Sequence, residues 1–199
     1  MRDFKILADS CCDLPDDILK KFDIDILPYY VSLNGKDYLQ ERVDIPIDDF
    51  FDELESNKNL FPKTSFPSTS DITDFFCKYL KDGLDILFIS MTSKFSGGFQ
   101  TILNIGENLK ADYPAASIVV VDSVQVSVGE GLLAIQASKM RKDGRTLFET
   151  AAFINSINSS ARLNVDCKCL GFFFLGFETL NLFGLIKFIL PSASKPEIT

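Results

Sequence analysis

Asp85-Ile86-Leu87-Phe88-Ile89 is followed by Ser90-Met91-Thr92-Ser93-Lys94-Phe95-Ser96-Gly97-Gly98, and then by a segment carrying Phe99, Ile102, Leu103 and Leu109. A short, uninterrupted apolar run suits a strand buried on both faces, the environment of a parallel sheet. The polar stretch reads as a hydroxyl-rich loop and the spaced apolar residues after it as a helix. The same order recurs on either side. Upstream, Phe4 to Ala8 runs into Asp9-Ser10 and a short helix ending near Phe22. Downstream, Ile118 to Val121 runs into Asp122-Ser123 and a helix from about Ser127 to Lys142. This alternation predicts an α/β fold, a mainly parallel sheet with helices on both faces. The strands at 4–8, 85–89 and 118–121 are expected to be neighbours. Ligands of such sheets bind beyond the carboxyl ends of the strands. The Ser-bearing loops after Ala8, Ile89 and Val121 are therefore expected along one edge.

The remaining segments are read from spacing and turn chemistry. Ile24 to Leu33 reads as extended, ending at the Asn34-Gly35 turn signal. Pro46 opens a helix whose Ile47, Phe50, Phe51 and Leu54 form one apolar face. Residues 63–70 are a polar stretch, in which Ser70 or Asp71 is expected to cap a helix reaching about Lys81. Gly144 stops the preceding helix, and Thr146 caps another that runs to about Asn158.

The chain of 199 residues suits one domain, or one domain plus a fragment of a second. Its 20 Lys and Arg against 28 Asp and Glu leave a net charge of -8, which makes nucleic acid a poor partner. The absence of His removes every His-based nucleophile activation, proton shuttle and metal site. The 19 Phe with no Trp suggest a core or pocket walled by rings without polar handles. Five Cys, with no disulfide-type spacing and no C-x-x-C, read as reduced thiols, and no metal site or cofactor is expected. Met1 to Ala8 lacks the apolar core of a signal peptide, so a cytoplasmic protein is expected.

The hydroxyl loops are the dense polar signal. Without His or a basic cluster they lack an activating base, and they are better suited to donating hydrogen bonds than to attack. Ser and Thr hydroxyls, with free amides at a helix start, can hold a carboxylate or phosphate. Gly97-Gly98 would let the backbone come close to such an anion. Thr64-Ser65 and Ser93 to Gly98 together look like a paired anion cradle, although Ser65, Ser70, Ser93 and Ser96 could each be a simple cap. Asp9, Ser10 and Ser123, at strand ends, either cap turns or orient those hydroxyls. Cys11-Cys12 has no basic neighbour in sequence and reads as structural. Asp48-Asp49 and Asp52-Glu53 read as a solvated helix face. Gly129-x-Gly131 is a weak glycine motif without the rest of a dinucleotide fingerprint.

Four motifs in order resemble the DegV family. Asp9-Ser10-Cys11-Cys12-Asp13-Leu14-Pro15 is similar to its D-S-x-x-D-L-P opening. Lys63-Thr64-Ser65-Phe66-Pro67-Ser68 is similar to its T-S-Q-P-S loop, with Phe66 where Gln is usual. Ser93 to Gln100 resembles its S-x-L-S-G-T-Y-Q loop, with Gly98 in place of Thr. Val121 to Gly131 resembles its V-x-D-S-x-x-x-S-x-G-x-G stretch. The resemblance implies a bacterial protein that buries one long-chain fatty acid and presents its carboxylate to a separate fatty acid kinase. The protein would itself not be an enzyme. It also implies that Thr64 and Ser93 bond the carboxylate, with Ser65, Ser96 and Gly97 as neighbouring candidates.

The resemblance covers about residues 4–160, and the family's second-half signature is absent after Arg162. Residues 1–162 are therefore expected to form a DegV-like lipid-binding region. Residues 163–199 are expected to be an apolar tail where the family has a second domain, as if the chain were truncated or aberrant. Leu170 to Leu190 is 21 residues of mostly Phe, Leu, Ile and Gly, long enough to span a bilayer. Glu178 near its middle and Lys187 weigh against insertion. Two other readings compete with the carrier: a small-molecule phosphotransferase or hydrolase using the same loops, and a membrane-associated or oligomeric protein using the tail.

Overall fold

The computed structural model describes residues 2–57 and 59–158. The expectations for the tail, and for the boundary at residue 162, lie outside the described residues. The first strand, β1, spans Phe4–Asp9, and a single 3-10 turn over Ser10–Cys12 leads to α1, Asp16–Phe22. Then come β2 (Ile24–Leu27), β3 (Tyr30–Ser32), β4 (Leu39–Gln40), α2 (Ile47–Ser56) and β5 (Lys63–Ser65). The remainder alternates: α3 (Thr69–Lys81), β6 (Asp85–Ser90), α4 (Gly98–Asp112), β7 (Ile118–Asp122), α5 (Val128–Lys142) and α6 (Leu147–Ile157).

The main sheet has the order β2-β1-β6-β7, with every pairing parallel. The three strands expected to be neighbours are neighbours, and their carboxyl ends share one edge. Alternation along each strand feeds two cores. Ile6, Ala8, Leu87 and Ile89 face Leu133, Ala134 and Ala137 of α5 and Leu147, Ala151 and Ile154 of α6. Leu7, Ile86 and Phe88 face Ile72, Phe76 and Leu80 of α3 and Ile102, Ile105 and Leu109 of α4. Both faces of the sheet are thus covered, which explains why its strands read as continuous apolar runs.

The structure corrects the sequence reading at three points. The extended segment from Ile24 to Leu33 is two strands, broken at Pro28-Tyr29, and only β2 joins the parallel sheet. Proline has no amide to donate to a ladder, so a parallel strand tends to end there. The second strand, β3, pairs antiparallel with β4 and β5 in a separate three-stranded sheet, which places Thr64 opposite Val31 and Ser65 opposite Tyr30. The polar stretch at 63–70 therefore begins as an edge strand, hidden from pattern reading because its residues are exposed. Finally, the cap of α3 is Ser68, earlier than expected, in a reciprocal capping box with Asp71.

α5 approaches the turn after β1 so closely that Gly131 is obligatory. A β-carbon there would lie 2.7 Å from the Cys12 carbonyl oxygen and 2.7 Å from Leu14 Cδ2. Gly131→Ala is expected to cost about 1–3 kcal/mol as an overpacked contact. The midpoint of urea unfolding should fall with unchanged slope. No helix among the described residues is long and apolar enough to cross a membrane.

Candidate functional site

Asp9 ends β1 and is fully enclosed. Its carboxylate accepts the Cys11 amide at 3.1 Å, which caps the 3-10 turn, and the Met91 amide at 2.9 Å, which begins the loop after β6. Burial pushes its pKa up to about 6, against the downward pull of those two amides. Ser10 is buried, and its Oγ accepts the Tyr29 amide at 3.1 Å. Ser123 is buried as well. Its hydroxyl accepts the Gln125 amide at 3.1 Å and donates to the Gln125 carbonyl at 2.9 Å. All three hold loops: Asp9 caps the 3-10 turn and also tethers the loop after β6, Ser10 ties down Tyr29, and Ser123 closes a local turn with Gln125.

The loop after β6 is fixed from two more sides. The Ser93 amide donates to both oxygens of Asp122 at 3.3 Å, and the Thr92 amide donates to the Gln125 carbonyl at 2.9 Å. Asp122 also accepts the Val124 amide at 2.8 Å. Val124 has a φ of 55°, a left-handed conformation that β-branched residues avoid. Strain of this kind costs roughly 1–3 kcal/mol and persists only where the surroundings over-determine it. Ser96 accepts the Gly98 amide at 3.0 Å and so caps the entry to α4, with the exposed Gly97 between them.

Thr64 and Ser93 are exposed, and among the described residues neither hydroxyl has a hydrogen-bond partner. Ser65, also exposed, makes only a long 3.4 Å contact with the Phe66 carbonyl. The two hydroxyl loops meet through Phe66. Its ring stands edge-on to Tyr29, with centroids 5.3 Å apart. A β-carbon on Gly98 would lie 2.6 Å from Phe66 Cε2. Phe66 and Gly98, each a departure from the family motifs, are thus in contact: the phenyl ring takes the space that a side chain at residue 98 would need. Ser96 lies beside the Tyr29 phenol, whose pKa is raised by burial and by Asp9. On the outer side of Phe66 is an open groove of about 370 Å³, lined by Tyr30, Tyr38, Ser65, Ser68 and Asp71.

Sequence reading missed Glu130. It lies in the first turn of α5 and is fully buried. Burial comes first, then the Asp9 and Asp13 carboxylates, in pushing its pKa well above the ordinary carboxylate range. The available signal was a carboxylate between two glycines at the start of an apolar helix, Gly129-Glu130-Gly131. Cys11 and Cys12 are pushed the other way from a reactive thiol. Burial raises both, and the nearby carboxylates add to it. Among the described residues no group of three His, Cys, Asp or Glu is arranged to hold a metal ion.

Residues 3–172 match a family model described as an uncharacterised protein, DegV family. A DegV domain-containing protein of Clostridium acetobutylicum is 38% identical over 149 residues, covering 75% of this chain and 51% of the relative. Among solved structures, a stearic acid-binding protein from Eubacterium ventriosum superposes with a TM-score of 0.71 at 34% identity, covering 76% of this chain and 52% of that one. A DegV lipid-binding protein from Thermotoga maritima superposes with a TM-score of 0.70 at 28% identity, covering 79% and 55%. The chain spans about half the length of these relatives. Matched along most of its length by the family model and by a relative at 38% identity, the chain belongs to the DegV family.

Proposed function

We propose that this chain binds a long-chain fatty acid, holds its carboxylate with the hydroxyls of Thr64 and Ser93, and presents it to a separate ATP-dependent fatty acid kinase. Ser65, Ser96 and Gly97 line the rim of this site, while Asp9, Ser10 and Ser123 hold the loops from beneath. The observation that carries the reading is the meeting of the two loops across Phe66 and Gly98, with the Thr64 and Ser93 hydroxyls left exposed and unengaged. The stated ligands of the two solved relatives, stearic acid and lipid, support the choice of anion. Neutral hydroxyls and amides can satisfy a monoanionic carboxylate, whereas hydrolysis or phosphoryl transfer by this chain would need a base or a metal. With no His in the chain and the Cys11 thiol raised, the loops offer neither an obvious base nor an activated nucleophile. In this reading the chain is a carrier in the cytoplasm rather than the enzyme.

Native mass spectrometry of the chain as expressed should show one added long-chain fatty acid. After delipidation, titration with stearate should restore the complex. Ser93→Ala is expected to weaken stearate binding about tenfold, the loss of one hydrogen bond to a charged group, with the fold unchanged. Unchanged affinity would remove Ser93 from the site. No lipid in the isolated protein and no affinity for stearate would reject the reading as a whole.

A further inference from the structure

Asp9 and Glu130 are two enclosed carboxyl groups, one at the end of β1 and one at the start of α5, where Gly131 lies against the Cys12 carbonyl oxygen of the turn after β1, and each perturbs the other's charge. Asp9 is supplied with donors, the amides of Cys11 and Met91. Glu130 is not: no described donor reaches either of its oxygens with hydrogen-bonding geometry. Two ionised carboxylates in contact and out of water would be untenable, and a buried polar group without a partner is costly. Both problems vanish if one proton is shared between them.

We propose that Glu130 is a positioning residue of this site: it is held as a neutral carboxylic acid whose O–H donates to Asp9, and the pair pins the loops that carry the ligand hydroxyls. The pair has one proton and one negative charge. The charge stays on Asp9, where the Met91 amide tethers the loop bearing Ser93 and Ser96, and the Cys11 amide tethers the turn bearing Ser10. The proton on Glu130 ties both to α5. The ligand part of this assignment rests on the fatty-acid reading; the proton-sharing part does not.

The surroundings favour the neutral acid. Asp13, Cys11, Cys12 and Tyr29 are the titratable groups coupled to Glu130 or to Asp9, and Glu41 and Arg42 stand behind Asp13. Asp13, like Asp9, is pushed up to about 6, chiefly by burial. Groups whose values are raised on folding stabilise the fold below their unfolded values, near pH 4, and lose that contribution as the pH rises through the folded values. Stability should therefore fall as the pH rises from near 4 through about 6, where Asp9 and Asp13 titrate, and go on falling above that while Glu130 keeps its proton. The carboxylates lowered on folding, Asp23, Asp71 and Glu149, act below this window.

Three measurements on the full chain test the assignment. In the wild type, the ¹³C carboxyl resonance of Glu130 should show the neutral acid through neutral pH. Glu130→Gln keeps a neutral donor for Asp9. It should flatten the fall of the thermal midpoint that continues above about pH 6 and keep stearate affinity within about twofold. Glu130→Leu removes the donor and should weaken stearate binding about tenfold through the released loops. A Glu130 resonance that titrates in the ordinary range near pH 4.3, or a pH profile unchanged in Glu130→Gln, overturns the proposal. If Glu130→Leu does not fold, the wild-type resonance decides. If no form binds stearate, the fatty-acid reading fails, while the resonance and the pH profile still judge the shared proton.

Discussion

Phe88→Ala is expected to remove about 3–5 kcal/mol of stability, a large part of the total for a domain of this size. Phe88 sits in β6, the strand flanked by β1 and β7, and is fully enclosed. Its ring packs on Phe76 of α3 with centroids 5.6 Å apart. Truncation loses the transfer free energy of the ring and leaves a cavity between sheet and helix. Its neighbours in the core cannot collapse into it together, because each is fixed by its own strand or helix. Urea unfolding of the variant beside Val43→Ala gives the contrast. Val43 is 65% exposed, and its truncation should change stability by no more than about 0.5 kcal/mol. A loss below about 1 kcal/mol for Phe88→Ala would mean that β6 is not the centre of the core.

Asp9→Ala is the second large effect, and it is felt both in stability and in binding. The substitution strips the acceptor from the Met91 and Cys11 amides and, under the proposed proton sharing, takes away the acceptor of the Glu130 O–H. Hydrogen bonds to a charged acceptor contribute about 1.5–3 kcal/mol each, so a loss of about 3–5 kcal/mol is expected. The loop carrying Ser93 would lose one of its tethers, and stearate affinity should drop about tenfold or more. Asp9→Asn retains an acceptor oxygen and should lose less than half as much. Equal losses in the two variants, read by thermal unfolding, would show that charge rather than acceptor geometry is what Asp9 supplies.

The two kinds of candidate site residue were legible to different degrees. Asp9, Ser10 and Ser123 stood out because they end apolar strands, and they indeed sit at the sheet edge. Their commitment to loop amides was not legible, because the partners, Met91, Tyr29 and Gln125, come from other segments or from turn geometry. Thr64 was noticed for its hydroxyl, yet its strand was missed. An exposed three-residue edge strand has no apolar alternation to read, and only its pairing with β3 reveals it. Glu130 was passed over because a single carboxylate at a helix start ordinarily faces water, and nothing local says that this one faces Asp9. Phe66 and Gly98 were each noted as departures from a motif, but their contact joins two loops far apart in sequence and belongs to packing alone.

By itself, the sequence determined the parallel core, since Phe4 to Ala8, Asp85 to Ile89 and Ile118 to Val121 are apolar almost without interruption and can rest only between two layers. It also determined the helix ends signalled by local chemistry, such as Thr146 with Glu149 in a capping box. Only the tertiary structure decided that Pro28-Tyr29 divides an extended run between two sheets, and that the hydroxyl loops close over a phenyl ring. Only it enclosed Glu130 against Asp9. Local pattern reports which face of an element avoids water; which buried groups meet there depends on long-range register, and that is fixed only when the layers pack.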